Sequence, residues 1–170
     1  NTCNDAISGN ICRCIGYKSI EKAGFEIENK LDKKDKNHQI KWLIEEGFIP
    51  DYFKMIPDKL KKLKTQNSEL ITSEGTIVAN GTDLYVRYAD KLSEEKVNLI
   101  ADENYLKGIN FSNGIFTIGV NTTVTEILEN IELKNNIPNL KSFLKLISSE
   151  QIRNMGTIGG NFVNASPIGD

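Results

Sequence analysis

Asn113 and Gly114, set between the apolar runs Ile109–Phe111 and Ile115–Val120, constrain the fold of this chain more than any other pair of residues. Asn-Gly accepts positive backbone angles at both central turn positions. The resulting turn has the twist of the flanking strands, so the segment reads as a two-stranded hairpin. Two further strands are expected nearby. Ile77-Val78-Ala79 is a short apolar run entering the tight turn Asn80-Gly81-Thr82-Asp83, and Val97–Ala101 is another mostly apolar run. Helical signals follow. Thr123-Val124-Thr125-Glu126 matches a capping box opening a helix to about Ile131. After Pro138, the i, i+3, i+4, i+7 spacing of Leu140, Phe143, Leu144 and Ile147 predicts a second amphipathic helix. Strands and helices alternate with no internal repeat, which leaves α/β or α+β; the class assigned is α+β.

Upstream the texture differs. Residues 2–9 have helical character, broken at Ser8-Gly9-Asn10. Residues 21–64 read as a linker, because Leu31–Asn37 mixes charges around a single apolar residue. Within it, Ile40, Leu43 and Ile44 predict a short docking helix ended by Gly47, and aromatic Pro50-Asp51-Tyr52-Phe53 and Ile56-Pro57 follow. The lysines nearby read as a solvated face, and His38 as an exposed residue with no catalytic setting. The expected organisation is therefore 1–20, 21–64 and 65–170. With 39% hydrophobic and 26% charged residues the 170-residue chain has globular composition. A net charge of −2 gives no reason to expect nucleic acid or an anionic membrane as partner. No apolar run approaches the ~20 residues of a membrane span. The first residues lack a signal-peptide pattern, both ends read as internal to a longer protein, and a reducing, cytoplasmic setting is expected.

Two kinds of residue cluster suggest chemistry. Cys3, Cys12 and Cys14 are the chain's cysteines, all near one end. The Cys-x-Cys pair is too close for an unstrained bridge but suits two thiolates on one metal centre. The second kind is glycine-rich. Gly156-Thr157-Ile158-Gly159-Gly160-Asn161 and Asn80-Gly81-Thr82-Asp83 each read as a turn whose N–H groups could hold a phosphate. Neither has the spacing of a Rossmann fingerprint or a P-loop. Alone, each is more often only a turn; together they could clamp a diphosphate from two sides.

The segment QIRNMGTIGGNFVNASPIGD (151–170) resembles the flavin-binding signature of the xanthine dehydrogenase family. IVANGTDL (77–84) is similar to that family's earlier FAD loop, with Asn80 where a glycine is usual, and GNICRCIGY (9–17) resembles part of its helical iron–sulfur domain. This resemblance implies the end of a helical 2Fe–2S domain, then the first part of an FAD-binding domain. Cys12 and Cys14 would be two of four cluster ligands, the other two lying upstream, and Cys3 a small helix residue. Ile77, Val78, Ala79, Asn80, Gly81, Thr82, Asp83 and Leu84 would wrap the FAD diphosphate. Ile147 would pack on the flavin or sit in the core. Thr157, Gly160, Asn161 and Asn164 would contact phosphate or ribose, and Asp170 the FAD hydroxyls.

The implied function is an oxidoreductase subunit, inactive as a fragment, in a hetero-oligomer. A molybdenum cofactor on a large partner subunit would oxidise a purine, and electrons would pass through 2Fe–2S clusters to FAD and on to NAD. No residue here would be a catalytic acid or base. Two other readings stand beside it: a self-sufficient flavoenzyme without iron, and a non-catalytic assembly module in which the cysteines hold zinc.

Overall fold

A computed structural model describes residues 3–9, 18–31, 37–66 and 74–165. The chain divides after Leu70 into two units. In the first, α1 (Cys3–Ile7) packs on α2 (Lys18–Lys30). Cys3 is half-buried, and its sulfur lies where a side chain on Gly24 would begin: a Cβ there would stand 2.3 Å from Sγ. The expected linker is largely helical where it is described. α2 runs through its start, and α3 (Gln39–Glu45), a 3₁₀ turn (Asp51–Met55) and α4 (Ile56–Gln66) follow. Gly47 ends α3 at φ 75°, where Gly47 N–H bonds to the Ile44 carbonyl and Phe48 N–H reaches back to Leu43 at 2.9 Å. The Trp42 and Phe48 rings sit 5.6 Å apart across that stop.

The second unit begins with β1 (Thr76–Val78). Its chain then passes through α5 (Leu84–Arg87) and α6 (Ala89–Glu94) to β2 (Val97–Leu99), which pairs parallel with β1 in the register Thr76↔Val97 to Val78↔Leu99. Parallel strands need a crossover, and α5 and α6 supply it. The run 77–79 is buried on one side only: Val78 is fully enclosed, Ile77 largely exposed. A 3₁₀ turn (Asn104–Leu106) leads to β3 (Ile109–Ser112) and β4 (Ile115–Ile118), an antiparallel hairpin closed by Asn113 at φ 53° and Gly114 at φ 78°. Phe111 and Phe116 face each other across it at 4.3 Å. The hairpin is the one expected from Asn-Gly.

The helical half differs in detail from its sequence pattern. The Thr123/Glu126 capping box is present, with Thr123 N–H donating to Glu126 Oε2 at 2.7 Å and Glu126 N–H to Thr123 Oγ1 at 3.2 Å. The helix it opens, α7 (Val124–Glu129), stops early because Asn130 caps a new one, α8 (Ile131–Asn136), accepting from Leu133 N–H at 2.8 Å. The expected helix from Leu140 to Ile147 is one turn, α9 (Leu140–Leu144). Ile147 lies beyond its end, next to Ser148 at φ 45°, so the i+7 stripe does not form and Phe143 is exposed. α10 (Glu150–Met155) and α11 (Ile158–Asn164) complete the described unit.

Its interior is unusually polar. Beside Val78, Leu92 and Leu133, the buried residues are Asn98, Asn121, Thr122, Arg153 and Thr157. Each has backbone work to do, as buried polar groups must. Asn121 donates to the Ile100 carbonyl, and Thr122 Oγ1 both donates to and accepts from Gly108 at 3.1 Å. Asn98 donates to the Glu74 carbonyl at 2.8 Å. These side chains tie the loops at the strand ends together, where the site is built. Among the described residues no helix is long and apolar enough to cross a membrane.

Candidate functional site: a cleft lined by two glycine-containing segments

A cleft of about 830 Å³ opens in the second unit, between the loop after β1 and the α10–α11 region. Its size falls within the roughly 300–1,000 Å³ of small-molecule and cofactor sites. Ile77, Ala79, Asn80, Gly81, Thr82, Asp83, Leu84, Ile147, Thr157, Gly160, Asn161 and Asn164 all line it, so residues more than 80 positions apart in sequence share one surface. Val78 does not: its side chain is wholly buried in the core. Asp170, Cys12 and Cys14 lie outside the described residues.

The two glycine-containing segments, alike in sequence, have opposite chemistry. In the loop of residues 80–83 no N–H group donates to another described residue, although the Gly81 carbonyl accepts from Tyr85 N–H at 3.0 Å. Gly81 has φ 66°, and a Cβ there would stand 2.3 Å from the Tyr85 ring. Glycine is thus favoured by the backbone angle, and a larger residue would have to displace the Tyr85 ring. Asn80, by contrast, avoids the left-handed region, and its side chain adds a tether, Nδ2 donating to the Met155 carbonyl at 2.7 Å. The change from glycine at this position leaves the backbone unstrained and fastens the loop to α10.

The segment 156–161 is no turn with free amides. It is the start of α11, with Thr157 as N-cap, and its N–H groups are occupied. Ile158 donates to the Thr122 carbonyl at 3.0 Å, Gly159 to the Val120 carbonyl at 2.8 Å and Gly160 to Thr157 Oγ1 at 3.1 Å. Gly159 permits close packing: a Cβ would stand 2.8 Å from the Val120 carbonyl oxygen. The expected second nest is therefore a rigid wall, and what it offers a ligand is the side chains of Asn161 and Asn164.

Charge in the lining is sparse: Asp83, Arg87 and Arg153. Arg87 bridges the two walls, 3.5 Å from Asp83 Oδ2 and 3.2 Å from Asn164 Oδ1, with its guanidinium 5.3 Å from the Tyr88 ring centroid. Arg153 is buried and donates to backbone carbonyls of residues 145–148. Sequence reasoning assigned a role to neither arginine, though Arg153 stood in the segment quoted for its glycines. Asn121 and Thr122, which fix the wall from behind, gave no local signal at all. The cleft thus offers the amides of residues 80–83, which bond to no other described residue, and a left-handed glycine, with Ile77, Val120, Ile147 and Ile152 as apolar surface. That donor set fits an elongated ligand with an anionic diphosphate and a flat apolar part.

The comparisons with known proteins agree. Residues 51–170 match the model of the FAD binding domain in molybdopterin dehydrogenase. The chain belongs to that family. It is 29% identical over 125 residues to the nicotinate dehydrogenase FAD-subunit of Eubacterium barkeri, covering 72% of this chain and 42% of that protein. It is 38% identical over 74 residues to the glyceraldehyde dehydrogenase medium chain of Sulfolobus acidocaldarius, covering 44% of this chain and 25% of that one. The chain thus spans less than half the length of these curated relatives. Among solved structures, the reconstituted CO dehydrogenase of Oligotropha carboxidovorans matches with a TM-score of 0.52 and 31% identity, covering 58% of this chain and 36% of that chain. CO dehydrogenase of Hydrogenophaga pseudoflava shares the fold at 24% identity and a TM-score of 0.50, over 64% of this chain and 37% of that one. This FAD-binding domain is accordingly related to the molybdenum hydroxylases.

Proposed function

We propose that the chain is the FAD-binding and electron-transferring part of a molybdenum-containing hydroxylase of xanthine dehydrogenase type. The observation that carries this reading is the loop 80–83, which lines the cleft within the family-matched residues and whose N–H groups bond to no other described residue. FAD, when bound, accepts and passes on electrons; the chain's own residues bind and orient it. The amides of residues 80–83 would hold the diphosphate, Gly81 gives the loop its left-handed turn, and Asn80 fixes the loop to α10. Ile147 and its apolar neighbours exclude water from the flavin side. Asn161 and Asn164 would contact phosphate or ribose, and Asp170 the FAD hydroxyls, roles that rest on the resemblance of residues 151–170 to that family. Cys12 and Cys14 supply two thiolates to a 2Fe–2S cluster, a role that rests on the resemblance of residues 9–17 to that family.

The partner in this reading is a large subunit carrying the molybdenum cofactor, which oxidises the substrate, a purine or another small molecule; NAD is the terminal acceptor. The names of the relatives, which specify nicotinate, glyceraldehyde and CO, favour a substrate set by the partner rather than by this chain. The test is a visible spectrum and iron analysis of the purified full-length protein. Flavin bands on top of broad iron–sulfur absorption are expected. Flavin without iron would replace the relay by a self-sufficient flavoenzyme, and zinc without flavin would leave the assembly module.

A further inference from the structure

The Gln-Ile-Arg-Asn stretch of α10 contains a buried cation that binding of FAD by the loop does not explain. Arg153 is only 5% exposed, on a helix whose Gln151 and Asn154 are exposed. Its Nη1 donates to the carbonyls of Ile147 at 2.8 Å and Ser148 at 2.6 Å, with Lys145 at 3.5 Å. All three carbonyls belong to the short connection between α9 and α10. That connection is strained: Ser148 has φ 45°, a region that L-residues with a Cβ avoid. Such a conformation persists only where its surroundings over-determine it. The converging carbonyls would repel one another without a cation between them, and Nη1 of Arg153 serves them from a single nitrogen, held in place by the buried guanidinium. Ile147 and Ser148, the residues so held, line the cleft.

We propose that Arg153 is a positioning residue for the bound cofactor: it clamps the 145–148 turn, holds Ser148 left-handed, and thereby presents Ile147 to the cleft. The proposal rests on the FAD reading above for what the wall is pressed against, but the clamp itself is a property of the turn.

The experiment uses the full-length protein with Arg153→Met, Arg153→Lys, Ser148→Gly and the double variant Arg153→Met/Ser148→Gly. Amide hydrogen exchange over residues 145–149 reads the clamp, and FAD titration with the flavin spectrum reads its consequence. Arg153→Met is expected to accelerate exchange there and weaken FAD binding roughly tenfold or more, the scale of losing hydrogen bonds to a charged group. Arg153→Lys is expected to fall between, and it carries the test if the Met variant does not fold. Ser148→Gly in the Met background is expected to recover part of the affinity, since glycine adopts the left-handed angle without help. Loss of melting temperature with unchanged FAD affinity and spectrum would overturn the proposal in favour of a plain core role, as would failure of glycine to rescue. Absence of flavin from the wild-type protein would sink the FAD reading instead, leaving the exchange data to judge the clamp.

Discussion

Replacing Gly81 with alanine tests most directly whether the loop of residues 80–83 binds the diphosphate. The backbone there sits at φ 66°, and the new Cβ would stand 2.3 and 2.4 Å from Tyr85 Cδ2 and Cε2. Holding a non-glycine residue in the left-handed region costs about 1–2 kcal/mol. The Tyr85 ring is half-exposed and can swing away, which loses contacts but avoids a rigid clash. The variant has two ways to respond. It can keep the loop and lose about 1–2 kcal/mol of stability from the backbone angle. It can instead relax to negative φ, turning the amides of residues 80–83 away from a common point, with FAD affinity falling about tenfold for each 1.4 kcal/mol of lost binding energy. Gly114→Ala separates the two. Gly114 has φ 78° but nothing within 4 Å of its would-be Cβ, and it lies outside the cleft lining. Both variants of the full-length protein would be followed by thermal unfolding and FAD titration. Gly114→Ala is expected to lower melting temperature and leave FAD binding alone, whereas Gly81→Ala lowers both. If Gly81→Ala bound FAD as tightly as the wild type without the loss of melting temperature that a retained left-handed loop requires, the reasoning from the loop's backbone would fail.

Three other perturbations have expected outcomes. Asn80→Ala removes the tether to the Met155 carbonyl, a loss of about 0.5–1.5 kcal/mol; a several-fold weaker FAD affinity with little change in melting temperature is expected from paired titration and calorimetry. Thr157→Ala deletes the cap of α11 and should destabilise by about 1 kcal/mol, with Thr157→Ser close to wild type in chemical denaturation. Gly24→Ala forces a Cβ onto Cys3 Sγ and should loosen α1 from α2, read as faster thiol labelling of Cys3 than in the parent protein.

Local chemistry was legible wherever partners lie within a few residues of each other. The Asn113-Gly114 hairpin, the Thr123/Glu126 capping box and the Gly47 stop appear where the spacing puts them, because each motif carries both halves of its hydrogen bonds. The stripe Leu140–Ile147 misled for a complementary reason. Periodicity records apolar positions but not the Arg153 side chain, on the next helix, that draws in the carbonyls of Ile147 and Ser148. Likewise, Asn80 reads from sequence as a departure from glycine, while its function as a tether depends on Met155, 75 residues away.

Family membership and the residues of one cleft wall were thus determined by the sequence itself, through short segments whose glycines and polar groups are informative in place. What only the tertiary structure decided is which of the two glycine-bearing segments has amides left to give. Residues 120 and 122 supply the carbonyls that occupy Gly159 and Ile158, while no described residue accepts a hydrogen bond from the amides of residues 80–83. A hydrogen-bond donor is available to a ligand only when no closer acceptor exists, and that is a property of the whole fold.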